Sequence, residues 1–125
     1  MNAAVPANAV VLYARDMEKV AAFYCAHFGF TRRPQVHDDL IELAGAEGGL
    51  TLLVHRASKG HRLGQSCVKL VFSVDDLDGF KARAAKRGLQ FGKVFRGAGY
   101  AFANARDPAK NPIQISRRMF LKAQA

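Results

Sequence analysis

The side chains best placed to do chemistry begin with a lysine inside an alternating stretch. From Cys67 to Val74, the residues Val68, Leu70, Phe72 and Val74 form one apolar set, and Cys67, Lys69, Val71 and Ser73 form the other. This period of two predicts a strand with one greasy face and one mixed face, with Lys69 on the mixed one. An ammonium there can hold a carboxylate or phosphate; with its pKa depressed by burial it can serve as a general base. The plain alternative is a solvated lysine. Cys67 shares the mixed face and would be a reactive thiol only beside a cation that stabilises its thiolate.

The other reactive residue types offer less. Cys25 and Cys67 have neither the number nor the spacing of a disulfide framework or a zinc knuckle, so both are expected to be reduced and mostly packed. His37, His55 and His61 match no helix or hairpin spacing for metal ligands and are expected at the surface. His27 falls near a predicted helix C-terminus, where a partly charged imidazole is favourable.

The elements that must position these groups belong to a chain of 125 residues, half of them hydrophobic, which is enough for one compact core. The formal charge of +9 is concentrated in three patches. These are His55, Arg56, Lys59, His61 and Arg62; Lys81, Arg83, Lys86 and Arg87; and Arg117, Arg118 and Lys122. Such patches keep a protein soluble, steer anionic ligands or contact nucleic acid. Without a nucleic-acid motif or an aromatic-plus-glycine pattern for stacking bases, nucleic acid ranks last as a partner. No apolar run approaches the roughly 20 residues of a membrane span, and the start lacks the pattern of a secretory signal, so the expectation is a cytoplasmic protein without membrane contact.

Ala9 to Arg15 alternates as a strand, with Val10, Leu12 and Ala14 on one side and Ala9, Val11 and Tyr13 on the other. Asp16 supplies an N-cap for a helix over Met17 to Phe28, which Gly29 ends in a left-handed position followed by Phe30. Thr31 to Val36 reads as an edge strand because it contains Pro34. Leu40 to Ala44 and Leu50 to His55 read as strands joined through a glycine-rich hairpin, after a turn at Asp38-Asp39. A polar connection from Ala57 to Gln65 follows, and the same order then returns. The Cys67–Val74 strand leads to the cap pair Asp75-Asp76 and a helix from about Leu77 to Arg87, with Leu77, Phe80 and Ala84 inward and Gly88 at its end. Phe91 to Phe95, Tyr100 to Ala105 and Pro112 to Arg117 are expected strands, with turns at Gly97-Ala98-Gly99 and at Asp107 to Asn111.

A shift of sixty residues lays Asp16-Met17 on Asp76-Leu77 and Val10, Leu12 and Ala14 on Leu70, Phe72 and Val74. The expected fold is therefore α+β: one domain over residues 1–125, built from paired βαβββ modules at about 9–56 and 66–117, whose mixed sheets enclose a cavity. One helix covers only one face of each sheet, and the other faces need a cover.

Three stretches carry a family resemblance: Val11 to Phe30; Val71 to Val74 with Asp75-Asp76; and Phe102 to Ile115, with a turn similar to Asp-Pro-x-Gly-Asn. Together they resemble the vicinal oxygen chelate superfamily of glyoxalase I, bleomycin-resistance proteins, fosfomycin-resistance enzymes and extradiol dioxygenases. In metal-dependent members, four His, Gln or Glu side chains from the first and fourth strands of the two modules hold a divalent ion. Counting along this chain puts those positions at Ala9, about Leu52, Lys69 and Gln114. Only Gln114 has a donor atom suited to a cation, so no metal residues and no cofactor are assigned, and the usual divalent metal is disfavoured.

On this resemblance the parity of the ligand positions is shared by Tyr13, Cys67, Lys69, Gln114 and Ser116, with Val11, Leu50, Leu52, Val54 and Val71 as an apolar wall. The expected ligand-binding set is Lys69, Gln114, Tyr13, Ser116, Cys67 and Leu52, with Lys69 as charged anchor; catalytic residues are not assigned. The resemblance implies a small-molecule partner and a homodimer that completes its cavities across a two-fold interface. A cationic drug in an acidic groove, as in bleomycin resistance, conflicts with the basic charge, so an anionic or neutral metabolite is expected. The rival readings are a lactoylglutathione-lyase-like enzyme or dioxygenase with a relocated metal or a Lys69 base, and a nucleic-acid binder.

Overall fold

The computed structural model describes residues 4–96 and 99–121. Part of the expected turn at Gly97-Ala98, and Lys122 of the basic tail, lie outside the described residues. The chain divides into two compact units, residues 1–62 and 63–125.

In the first unit, β1 (Ala9–Ala14) leads through the Asp16 cap into α1 (Met17–Phe28), where the Asp16 carboxylate accepts the backbone N–H of Lys19 at 3.1 Å. That bond satisfies one of the free amides of the first turn. Gly29 closes the helix at φ 72°, the left-handed conformation that a side chain would penalise. Then come β2 (Thr31–Arg32), β3 (Leu40–Ala44) and β4 (Thr51–Arg56), in a sheet of order β1-β4-β3-β2 with β1 and β4 parallel. The edge strand is shorter than the expected Thr31 to Val36. Arg33 still donates to the Glu42 carbonyl at 3.0 Å, but Pro34 has no N–H with which to continue the ladder.

The register of this sheet explains its core. Val10 lies beside Leu52 and Leu12 beside Val54, while Ile41 faces Val54 and Leu43 faces Leu52. Leu12, Ile41, Leu43, Leu52 and Val54 are all buried, and α1, packed on β1, β3 and β4, adds Met17, Val20, Ala21 and Tyr24. The side away from this core carries Val11, Tyr13 and His55, all exposed.

The second unit holds β5 (Leu70–Ser73), α2 (Leu77–Lys86), β6 (Phe102–Arg106) and β7 (Pro112–Ser116), with a short 3-10 turn at Arg118–Phe120. Its sheet has the order β5-β7-β6, and β5 runs parallel to β7. The Asp76 carboxylate caps α2 by accepting the Gly79 N–H at 3.0 Å. Leu70, Ala103, Ile113 and Ile115 are buried on one face of the sheet, and Leu77, Ala84, Leu89 and Phe91 are buried with them in this unit.

Two strands fall short of expectation. The strand predicted from Cys67 begins only at Leu70, which lies beside Ile113. The next place in that register belongs to Pro112, which has no N–H to give. The Ser66 hydroxyl also bonds the backbone N–H and carbonyl of Val68. Val68, expected on the greasy face, is therefore exposed. Phe91 to Phe95 forms only a bridge, Phe95 to Phe102, although Gly92 donates to the Asn104 carbonyl at 2.9 Å. Three steps on this segment oppose two on β6, the extra residue of a bulge.

The turn before β7 is built on a buried carboxylate. Asp107 accepts the backbone N–H groups of Ala109 and Asn111 at 2.8 and 2.9 Å, and the Asn111 side chain at 2.9 Å. Lys110 stands where the resembling turn has glycine, and it takes φ 68°, the left-handed region.

Candidate functional site

The side chains of the second sheet that point away from its core form two rows. The register sets Val71, Gln114 and Asn104 side by side, and next to them Ser73, Ser116 and Phe102. Lys69, two residues before Val71, points to the same side. Its ammonium donates to Asn104 Oδ1 at 3.1 Å, and Gln114 Nε2 donates to the same oxygen at 3.0 Å. One amide oxygen from β6 thus receives a charged donor from the start of β5 and a neutral donor from β7. These two bonds leave the Asn104 Nδ2 hydrogens, the Gln114 Oε1 lone pairs and the remaining Lys69 protons as further hydrogen-bonding capacity. Lys69 is exposed and Gln114 half-buried, so the group is reachable from solvent.

The remaining expected residues do not join this hydrogen-bonded group. Ser116 is buried, and its hydroxyl oxygen accepts the Arg118 N–H at 3.0 Å, which ties it to the 3-10 turn. Cys67 is an exposed free thiol outside the strand, not a packed one; Cys25 is half-buried and also free. Leu52 is corrected outright. It is buried beside Val10 on the core face of the first sheet, because β4 starts at Thr51 and the parity runs opposite to the one assumed. Leu50 and Val54 leave the expected wall for the same reason: Leu50 precedes β4, and Val54 is buried. Leu53, beside Val11, takes the place that Gln114 takes beside Val71 in the second sheet.

Tyr13 belongs to the first unit and stands in an aromatic group of its own. The His61 ring stacks on it at 4.0 Å between centroids, and His55 meets it edge-on at 5.5 Å. The Ser58 backbone N–H donates to His61 Nδ1 at 2.8 Å, so the proton of the neutral ring belongs on Nε2. The Arg15 guanidinium donates to the His61 carbonyl at 2.9 Å. The same unit carries two open surface depressions. One, of about 420 Å³, lies among Arg15, Asp16, Glu18, Gln35, Asp38 and Arg56; the other, of about 530 Å³, lies along Arg33 to His37 with Leu40 and Glu42. At the first, Arg32 makes a two-pronged ion pair with Glu18, and its hydrogen bonds hold the Glu18 carboxyl below the usual range.

Asn104 was missed by sequence reasoning. Its place in Phe102-Ala103-Asn104-Ala105 marks it as the one polar side chain of an otherwise small or apolar run, and that was the available signal. Nothing local indicates that it accepts from Lys69, thirty-five positions earlier.

The sequence model of the Glyoxalase/Bleomycin resistance protein/Dioxygenase superfamily matches residues 7–115, and the chain belongs to this family. The fold agrees with solved structures. A lactoylglutathione lyase from Agrobacterium tumefaciens is similar at TM-score 0.73 and 22% identity, over 92% of this chain and 95% of that one. TnmS3, an antibiotic binding protein from Streptomyces sp. CB03234, gives 0.76 and 23% over 92% and 97%. A bleomycin resistance determinant encoded on the transposon Tn5 gives 0.70 and 20% over 90% and 98%. A search of curated proteins finds no match. Among the described residues no helix is long and apolar enough to cross a membrane.

The divalent ion of the metal-dependent relatives can be tested against the donors present. With the register corrected, the four corresponding positions are Ala9, Leu53, Lys69 and Gln114. Alanine and leucine offer no lone pair, and a lysine ammonium repels a cation. Among the described residues no three His, Cys, Asp or Glu side chains come together as a metal site. The residues at these positions do not fit the ion.

Proposed function

We propose that this chain is a small-molecule-binding member of its family that takes an anionic or neutral metabolite, without the usual divalent metal, on the face of the second sheet bearing Lys69, Asn104 and Gln114. The observation that carries this reading is the shared oxygen: Asn104 Oδ1 holds the Lys69 ammonium at 3.1 Å and the Gln114 amide at 3.0 Å. That contact orients the ammonium without neutralising it. A carboxylate or phosphate oxygen then meets a charge and adjacent amide donors, and charge-assisted bonds of this kind are about twice as strong as neutral ones. The net charge of +9 favours the approach of an anion from long range. Exposed Val71, beside Gln114, offers apolar contact to the body of such a ligand. A cytoplasmic homodimer, in which a second copy covers the open sheet faces, is the assembly this proposal adopts.

The test is a thermal-shift panel of monocarboxylates, dicarboxylates and sugar phosphates against wild type and Lys69→Ala. The expected result is stabilisation of the wild type by at least one anion, lost in the variant. Equal shifts in both proteins would remove Lys69 from the site. Elemental analysis tests the metal: a stoichiometric divalent ion that disappears in Gln114→Ala overturns the metal-free reading. Sedimentation at micromolar concentration tests the dimer, and a monomer there overturns that assembly.

A further inference from the structure

The sheet face that carries the Lys69 group also carries a row of aromatic rings. Phe102 lies two residues before Asn104 on β6, so the two side chains emerge on the same side about 7 Å apart. Phe95 is bridged to Phe102 by a reciprocal pair of backbone hydrogen bonds, which puts their side chains on one face. The two rings stack at 5.2 Å with 20° between planes. Tyr100 continues the row at 5.7 Å from Phe102. Cations flank it at both ends: Lys93 Nζ lies 4.9 Å from the Phe95 centroid, and the Arg118 guanidinium 5.3 Å from that of Tyr100. Phe95 remains 39% exposed, a large share for an aromatic ring already stacked on another.

We infer that the ligand of this face is an aromatic carboxylate, its carboxylate held by Lys69, Asn104 and Gln114 and its ring system set against Phe95 and Phe102. This inference rests on the anion-binding reading above and narrows it to a substrate class. An aliphatic acid would gain only apolar contact from the ring row. An aromatic acid also packs its π system against the exposed Phe95 ring and offers a π face to the neighbouring Lys93 ammonium. The exposed Lys93 can exchange its contact with the Phe95 face for contact with the ligand's π face. A sugar phosphate uses the cation and wastes the rings.

Calorimetric titration with 2-naphthoate, decahydro-2-naphthoate and 2-naphthamide separates these contributions, since the three share size and differ in charge or aromaticity. The expected result is that 2-naphthoate binds about three- to tenfold more tightly than its saturated counterpart. Phe95→Leu abolishes that preference, and Lys69→Gln weakens both acids about ten- to hundredfold. Equal binding of the two acids, both weakened by Lys69→Gln, overturns the aromatic acid and leaves the anion site standing. Naphthamide binding as tightly as naphthoate, with no effect of Lys69→Gln, overturns both. Binding by none of the three overturns the aromatic acid, while the anion site is judged by its own panel.

Discussion

Replacing Asn104 by aspartate changes one atom of the candidate site and inverts its electrostatics. In the wild type a neutral amide oxygen 3.1 Å from Lys69 Nζ orients the ammonium and leaves its charge for a ligand. In Asn104→Asp the ammonium faces a carboxylate at that distance, and the pair is self-neutralised. A bound carboxylate about 5 Å from the new charge is repelled by about 1 kcal/mol at the dielectric of water and about 3 kcal/mol at an effective value of 20. The dissociation constant of an anion such as 2-naphthoate should therefore rise about five- to hundredfold, and rise less as salt is added. Fold stability should change by less than about 1 kcal/mol, because an ion pair this exposed contributes little. Asn104→Ala is the informative partner: it removes the orienting oxygen but keeps the charge, so it should weaken binding less than Asn104→Asp does. Calorimetry at two salt concentrations measures all of this. A change below twofold in Asn104→Asp, or a larger loss in Asn104→Ala, refutes the assignment of Lys69 as an electrostatic anchor.

Asp107→Ala should destabilise the chain by about 3 kcal/mol in urea unfolding, because the Ala109 and Asn111 amides lose a charged acceptor in a buried turn. Lys110→Gly should be neutral or stabilising by up to about 1 kcal/mol in the same assay, since relief of the left-handed backbone outweighs the added freedom of the unfolded chain. Gly45→Ala should cost about 1–3 kcal/mol, because its new methyl would sit 2.5 Å from the Leu50 carbonyl oxygen. The Arg32–Glu18 pair predicts a small loss of stability on acidification. Glu18 is depressed in the folded state, so its contribution is present above the ordinary carboxylate range and fades as the pH falls through and below it. An NMR titration should show the Glu18 midpoint rising in Arg32→Met and with added salt in the wild type; an unchanged midpoint removes the pair as its cause.

The sequence determined the local elements. Asp16 and Asp76 cap helices where the pattern puts them, and Gly29 ends the first in the left-handed conformation. Alternation along Val10, Leu12 and Ala14 names the inward face of β1, which agrees with burial of Leu12 and Ala14. These signals are legible because caps, turns and period-two burial depend on neighbours in the chain. Pairing between strands depends on distant residues, and there the sequence fell short. Counting along the chain puts Leu52 on the wrong face, because the β1–β4 register fixes which parity of β4 is buried and no residue within β4 announces it. The β5 strand lost its first residues to Pro112 of its partner, so Lys69 lies just before the ladder and not inside it.

The same division holds for the candidate site. Lys69 and Gln114 could be singled out along the chain by residue type and by resemblance. That they meet, and that they meet on Asn104, was decided by the order β5-β7-β6, which sets Gln114 and Asn104 side by side and lets Lys69, just before β5, reach the same oxygen. The ring row of Phe95, Phe102 and Tyr100 has the same origin, because the bulge opposite β6 lets Phe95 pair with Phe102. Residue types and helix ends are properties of short stretches of chain. Which groups share a face is a property of sheet order and register, and only the tertiary structure supplies those.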